Sequence, residues 1–166
     1  MAISQTDIKH LRRAVDLAKE ALDKGDQPFG SVLVSGHGEV LFEDHNHVAG
    51  GDDTQHPEFN LARWAANHLT PQERAEATVY TSGEHCPMCS GAHGMVGLGR
   101  IVIASSSKQL AQWWAEFGAP ESNVRPLAIQ EVIRDIEVDG PVEQFYDEIK
   151  QLQRRAFDKR QAEQTV

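Results

Sequence analysis

Four side chains in two short clusters have the types and spacing for hydrolytic chemistry at a metal. His56-Pro57-Glu58 is the first cluster, and Cys86-Pro87-Met88-Cys89 follows thirty residues later. One imidazole and two thiolates leave the fourth position of a tetrahedral zinc ion open to water, the arrangement of a catalytic rather than a structural centre. Glu58 stands two residues past His56, close enough to reach such a water without being a ligand, and a carboxylate there can take a proton and return it to a leaving group. Each cluster opens an expected helix, with Pro57 and Pro87 suited to the first helical turn. A helix N-terminus favours the thiolate form of both cysteines. Two other readings of these residues stand beside this one: a C-x-x-C redox pair, and a purely structural zinc site completed by His45, His47, His85 or His93.

The surrounding elements must hold these clusters together. A helix is expected from a cap at Thr6 or Asp7 to about Lys24, where Gly25 stops it, with Ile8, Leu11, Val15, Ala18 and Leu22 on one face. Residues 29–35 and 39–42 read as strands of a hairpin turning at Ser35-Gly36-His37-Gly38. Residues 44–55 read as loop and 57–69 as a helix burying Leu61, Trp64, Ala65 and Leu69. Thr78 to Thr81 reads as a strand, 87–96 as a helix ended by Gly97 and Gly99, and Ile101 to Ala104 as a buried strand. A helix over 108–117 and weak strands over 124–129 and 136–138 come next. An amphipathic C-terminal helix spans about 142–160, with Phe145, Ile149, Leu152 and Ala156 at helical spacing. Helices alternating with strands predict a three-layer α/β domain with a mostly parallel half-sheet.

The chain has 166 residues and 18.4 kDa, the size of one domain over 1–166. Forty per cent apolar and 25% charged residues exclude a disordered or fibrous chain. No apolar run is long enough for a membrane span, and no signal-peptide pattern opens the chain, which reads as cytoplasmic. Sixteen basic against 25 acidic residues give a net charge of −9, which disfavours a nucleic-acid partner because phosphate neutralisation needs a basic face. Two cysteines do not make a disulfide scaffold.

The two clusters resemble the H-x-E and P-C-x-x-C motifs of the zinc-dependent cytidine-deaminase-like superfamily. The likeness runs over roughly 8–105. Pro28-Phe29-Gly30-Ser31-Val32-Leu33-Val34 resembles the first strand of bacterial guanine deaminases and tRNA adenosine deaminases, and Asp52-Asp53-Thr54-Gln55-His56 resembles their approach to the histidine. Tyr80-Thr81-Ser82-Gly83-Glu84-His85-Cys86-Pro87-Met88-Cys89-Ser90-Gly91-Ala92 resembles their second zinc segment. Two residues depart from the pattern: Pro57 replaces a small or branched residue, and His85 replaces a proline.

The resemblance implies a three-layer α/β/α cytidine-deaminase-like fold with a central mixed five-stranded sheet. One Zn2+ per subunit would be held by His56, Cys86 and Cys89, with Glu58 as proton shuttle. Asn46, ten residues before His56, would bind the polar edge of a base. Glu84 and His85 would line the pocket through their main chains, and Phe29, Trp113, Trp114 and Phe117 are candidate walls for a flat ring. The implied reaction is hydrolytic deamination of a free nucleobase or nucleoside, guanine or a related aminopurine first, releasing ammonia. A tRNA adenosine deaminase and a catalytically silent zinc-stabilised binding module are the alternatives. The basic residues of the tail, Lys150, Arg154, Arg155, Lys159 and Arg160, alternate with acidic ones. The family resemblance also implies a homodimer.

Overall fold

A computed structural model of the chain describes residues 2–165. The first helix, α1 (Gln5–Asp23), is capped at Ser4, two to three residues before the cap expected at Thr6 or Asp7. Ser4 Oγ accepts the Asp7 N–H at 3.1 Å, while the Asp7 carboxylate accepts the Ser4 N–H at 2.8 Å. Asp7 is thus the third helical residue of a capping box rather than the cap. Gly25, at φ +94°, takes the left-handed conformation that ends the helix.

Strands β1 (Gly30–Val34) and β2 (Val40–His45) form the expected antiparallel hairpin. Helix α2 (Pro57–His68) follows a loop containing a single 3-10 turn at Val48–Gly50. Next come α3 (Pro71–Glu76), β3 (Thr78–Thr81), α4 (Pro87–Val96), β4 (Ile101–Ile103) and α5 (Ser107–Phe117). Then come α6 (Ile129–Val132), β5 (Val138–Asp139) and, after a 3-10 turn at Glu143–Phe145, α7 (Tyr146–Gln164). The strand expected over 124–129 does not form. Ile129 instead begins α6 and plugs the core as a fully buried residue, while the last strand shortens to two residues.

The sheet order is β2-β1-β3-β4-β5. β1 pairs antiparallel with β2 and β3, whereas β3, β4 and β5 run parallel, so the sheet is mixed as expected. Alternate residues along each strand serve opposite faces. Val32, Val34, Tyr80 and Val102 pack with Leu11 and Val15 of α1, Trp113 of α5, and Phe145, Ile149 and Leu152. Leu33, Val79, Ile101 and Ile103 pack with Leu61 and Ala65 of α2 and with Ile129. These are the two apolar layers of a three-layer domain. Contact between α1 and β1 is so close at Gly30 that a Cβ there would run into Ala14 O and Leu17 Cβ. Among the described residues, no helix is long and apolar enough to cross a membrane.

Candidate active site

Ser31 and Thr81 share strand parity with Leu33 and Val79, so they open onto the face covered by α2 and α4. Those helices bring the two sequence clusters together. His56 is the N-cap of α2 and Cys86 the N-cap of α4, both in extended backbone conformation with a proline next in the chain. His56 Nδ1 lies 3.6 Å from Cys86 Sγ and 3.5 Å from Cys89 Sγ. Bond lengths of about 2.3 Å to sulfur and 2.0–2.1 Å to nitrogen put tetrahedral ligand atoms about 3.6 Å apart, so this donor set fits zinc. Among the described residues, the metal-binding group here is His56, Cys86 and Cys89. None of His45, His47, His85 and His93 joins it.

Hydrogen bonds from Cys89 and His56 outweigh burial and draw the Cys86 thiol down to about 4, towards the thiolate that a metal requires. The same sharing with Cys86, together with burial, raises Cys89. The bond to Cys86 raises His56 against its own burial.

Glu58 is 5% exposed, and that burial raises its pKa. Its two oxygens have different surroundings. Oε1 meets Ser31 Oγ at 3.2 Å and Thr81 Oγ1 at 3.1 Å, and Oε2 accepts from Cys89 Sγ at 3.7 Å. Ser31 and Thr81 also meet each other at 2.9 Å, and Thr81 Oγ1 lies 2.8 Å from Gly83 O. One carboxylate edge is therefore anchored on the sheet while the other faces the ligands. This hydroxyl pair escaped the sequence reading. Its signal was a serine and a threonine at inward positions of otherwise apolar strands.

Asn46 is fully buried. Its N–H donates to Phe29 O at 3.0 Å, and its Oδ1 accepts from Gln27 N at 3.3 Å and Val48 N at 3.1 Å. The loop thus uses the carbonyl end, leaving Nδ2 buried without a hydrogen-bond partner. Phe29 is half-buried, its ring so close to Gly83 that a Cβ there would sit 3.1 Å away.

Other expected contacts are placed differently. The Glu84 N–H is donated to Ser105 O at 2.9 Å, so it is not free to line a pocket. Its carboxylate accepts the N–H of Ser107 at 2.8 Å and of Ile129 at 2.7 Å, tying the starts of α5 and α6 to the cysteine segment. His85 turns inward against His93, ring centroids 5.3 Å apart, and burial with that neighbour lowers its pKa well below the ordinary value. Trp113 is fully buried in the opposite apolar layer, its indole donating to Tyr146 Oη at 3.0 Å, which corrects its expected contact with a substrate. Trp114 is half-buried and donates to Gln153 Oε1 at 3.3 Å, and Gln153 Nε2 reaches Pro28 O at 3.4 Å. That chain supports the segment before Phe29 from behind. Phe117 faces Phe157, under the Arg154 guanidinium.

Residues 4–105 match the family described as the cytidine and deoxycytidylate deaminase zinc-binding region. The chain is 34% identical over 108 residues to a probable cytosine deaminase of Schizosaccharomyces pombe, covering 65% of each chain. It is 40% identical over 84 residues to the guanine deaminase of Bacillus subtilis, covering 49% of this chain and 53% of that one. Identity is 32% over 104 residues to a tRNA-specific adenosine deaminase of Haemophilus influenzae, covering 62% of this chain and 60% of that one. The matched region thus spans between half and two thirds of these relatives' lengths. In fold, the chain resembles the guanine deaminase of Nitrosomonas europaea at a TM-score of 0.68 and 19% identity, covering 94% of this chain and 86% of the other.

Proposed function

The chain belongs to the cytidine and deoxycytidylate deaminase zinc-binding family, and from that premise we propose that it hydrolytically removes the exocyclic amine of a free nucleobase or nucleoside, with guanine or a related aminopurine as the first candidate. The observation that carries this reading is Glu58: a buried carboxyl with one oxygen anchored on Ser31 and Thr81 and the other turned to the ligand group. A zinc-stabilised scaffold needs three ligands but has no use for such a carboxyl.

His56, Cys86 and Cys89 would hold the zinc ion, which when bound acts as a Lewis acid and makes water nucleophilic near neutral pH. Glu58 accepts the water proton at Oε2, the oxygen that is free of the sheet, and delivers protons to the ring nitrogen and the departing amine. Burial raises its proton affinity, which suits a group that must both take and give. Asn46 offers only donors, because its carbonyl is committed to the loop, so it selects a base edge that presents an acceptor. The Phe29 ring, braced against Gly83, supplies an apolar wall for a flat heterocycle.

Surface charge favours a small substrate over RNA. The tail's Lys150 is paired with Glu116, Arg154 with Asp158 and Arg155 with Asp23, and the net charge is −9. With the substrate reading go a homodimer and a cytoplasmic setting. The test is ammonia release by the zinc-loaded protein from guanine, adenine, cytosine and their nucleosides. One free base should be turned over, and Glu58→Ala should lower that rate by about 10²–10⁴-fold. Turnover confined to a tRNA anticodon stem-loop would replace this reading with tRNA editing. Retained zinc with no release from any substrate would leave a binding module.

A further inference from the structure

Away from His56 and the cysteines, one donor atom from each of Asp26, His45 and His47 lies within 4.8 Å of the others. The hydrogen bonds around the two imidazoles determine which nitrogens are free. His45 Nδ1 meets Asn46 O at 2.8 Å, so that nitrogen carries the hydrogen and Nε2 carries the lone pair. The Lys24 ammonium, 3.0 Å from His45 Nε2, donates to that lone pair. His47 Nε2 meets Asp44 Oδ1 at 2.8 Å, which makes it the N–H and leaves Nδ1 as acceptor. Asp44 is held in turn by Asn60 of α2 at 3.0 Å. The two rings lie 4.4 Å apart, tilted by 33°. Asp26, which accepts the Ala49 N–H through Oδ1, closes the third side.

We propose that Asp26, His45 and His47 form a second metal site, for a borderline divalent ion such as Zn2+. An imidazole bound to metal commonly gives its other N–H to a carbonyl or carboxylate, which fixes tautomer and ring orientation. Both histidines already carry that outer partner, one the Asn46 carbonyl and the other the Asp44 carboxylate. Two imidazole nitrogens and one carboxylate oxygen suit zinc and its neighbours better than Mg2+ or Ca2+. The Lys24 ammonium already sits on the His45 lone pair, so an incoming ion must displace it. The side chain is exposed and free to swing out.

The experiment is calorimetric titration of the metal-free protein with Zn2+, with bound metal counted after gel filtration. The wild type binds two equivalents. Asp26→Asn/His47→Asn binds one, with the near-ultraviolet circular dichroism of the wild type showing that it is folded. Lys24→Ala binds two, the second about threefold or more tighter, because a competing cation has been removed. A single equivalent in the wild type overturns the proposal. So does a second equivalent that persists in the double variant, or one that is no tighter in Lys24→Ala.

Discussion

At the scale of single residues, the site divides its hydrogen-bonding groups between those spent on the fold and those left for a ligand. Asn46 shows the division within one amide: Oδ1 holds Gln27 and Val48, and Nδ2 holds nothing. Asn46→Asp keeps the loop acceptor and deletes the donor, so the loop should persist while KM rises about tenfold, the worth of one buried hydrogen bond. Steady-state kinetics on the accepted base, with an unchanged melting temperature, checks this. Ser31→Ala leaves Glu58 with one sheet anchor, and kcat should fall severalfold with KM nearly constant, because the carboxyl acts on the transition state rather than on binding. A KM increase without loss of kcat would show that Ser31 serves substrate binding.

At the scale of elements, Glu84 is the joint between the cysteine segment and the later helices. Its carboxylate receives two backbone N–H groups, and glutamine has one oxygen where glutamate has two. Glu84→Gln should cost about 1–3 kcal/mol in denaturant unfolding and speed amide exchange at Ser107 or Ile129. The family resemblance implies a pocket-lining main chain at Glu84, but the distant N–H groups its carboxylate caps are not visible in sequence. Helical stripes are legible for α1, α2 and α7, turn and cap residues mark the β1–β2 hairpin and α4, and short apolar runs mark β3 and β4, which are buried on both faces. α3 was overlooked although Thr70-Pro71 and Glu73 spell a capping box, which the structure forms. The sequence reads 124–129 as a strand because Val124, Leu127 and Ile129 are apolar, yet only Ile129 is buried there, and a lone buried side chain carries no period. The His56, Glu58, Cys86 and Cys89 grouping was legible because metal ligation demands particular residue types at helix starts. Ser31 and Thr81 demand only a face, and neighbouring strands had to be paired before that face existed.

At the scale of the whole molecule, a largely buried ionic cluster joins the first helix to the far strands. Arg100 donates to Asp7 at 2.8 Å and to Asp139 at 2.7 Å, and Tyr80 Oη donates to Asp7 at 2.9 Å. Burial alone would raise the Asp7 carboxyl, but the bonds from Arg100, Ser4 and Tyr80 outweigh it and hold the group well below the ordinary carboxylate range. A carboxyl depressed by folding contributes stability above its unfolded pKa of about 4 and loses it as pH falls towards the folded value. Asp7→Asn should therefore be less stable at pH 7, and the gap to the wild type should narrow below about pH 4. Chemical denaturation over that range measures the gap, and a constant difference would exclude Asp7 from acid unfolding.

The three indoles are divided between the two outer layers of this architecture. Trp64 of α2 stacks 5.4 Å from Phe42 and 4.4 Å from His68 on the ligand-bearing side, whereas Trp113 and Trp114 belong to the α5–α7 side. The protein thus has its own optical labels. In Trp64→Phe, emission comes only from the layer remote from the cysteines, and subtracting it from the wild-type spectrum isolates the nearer one. Light from the two layers then records whether they melt as one body or one after the other.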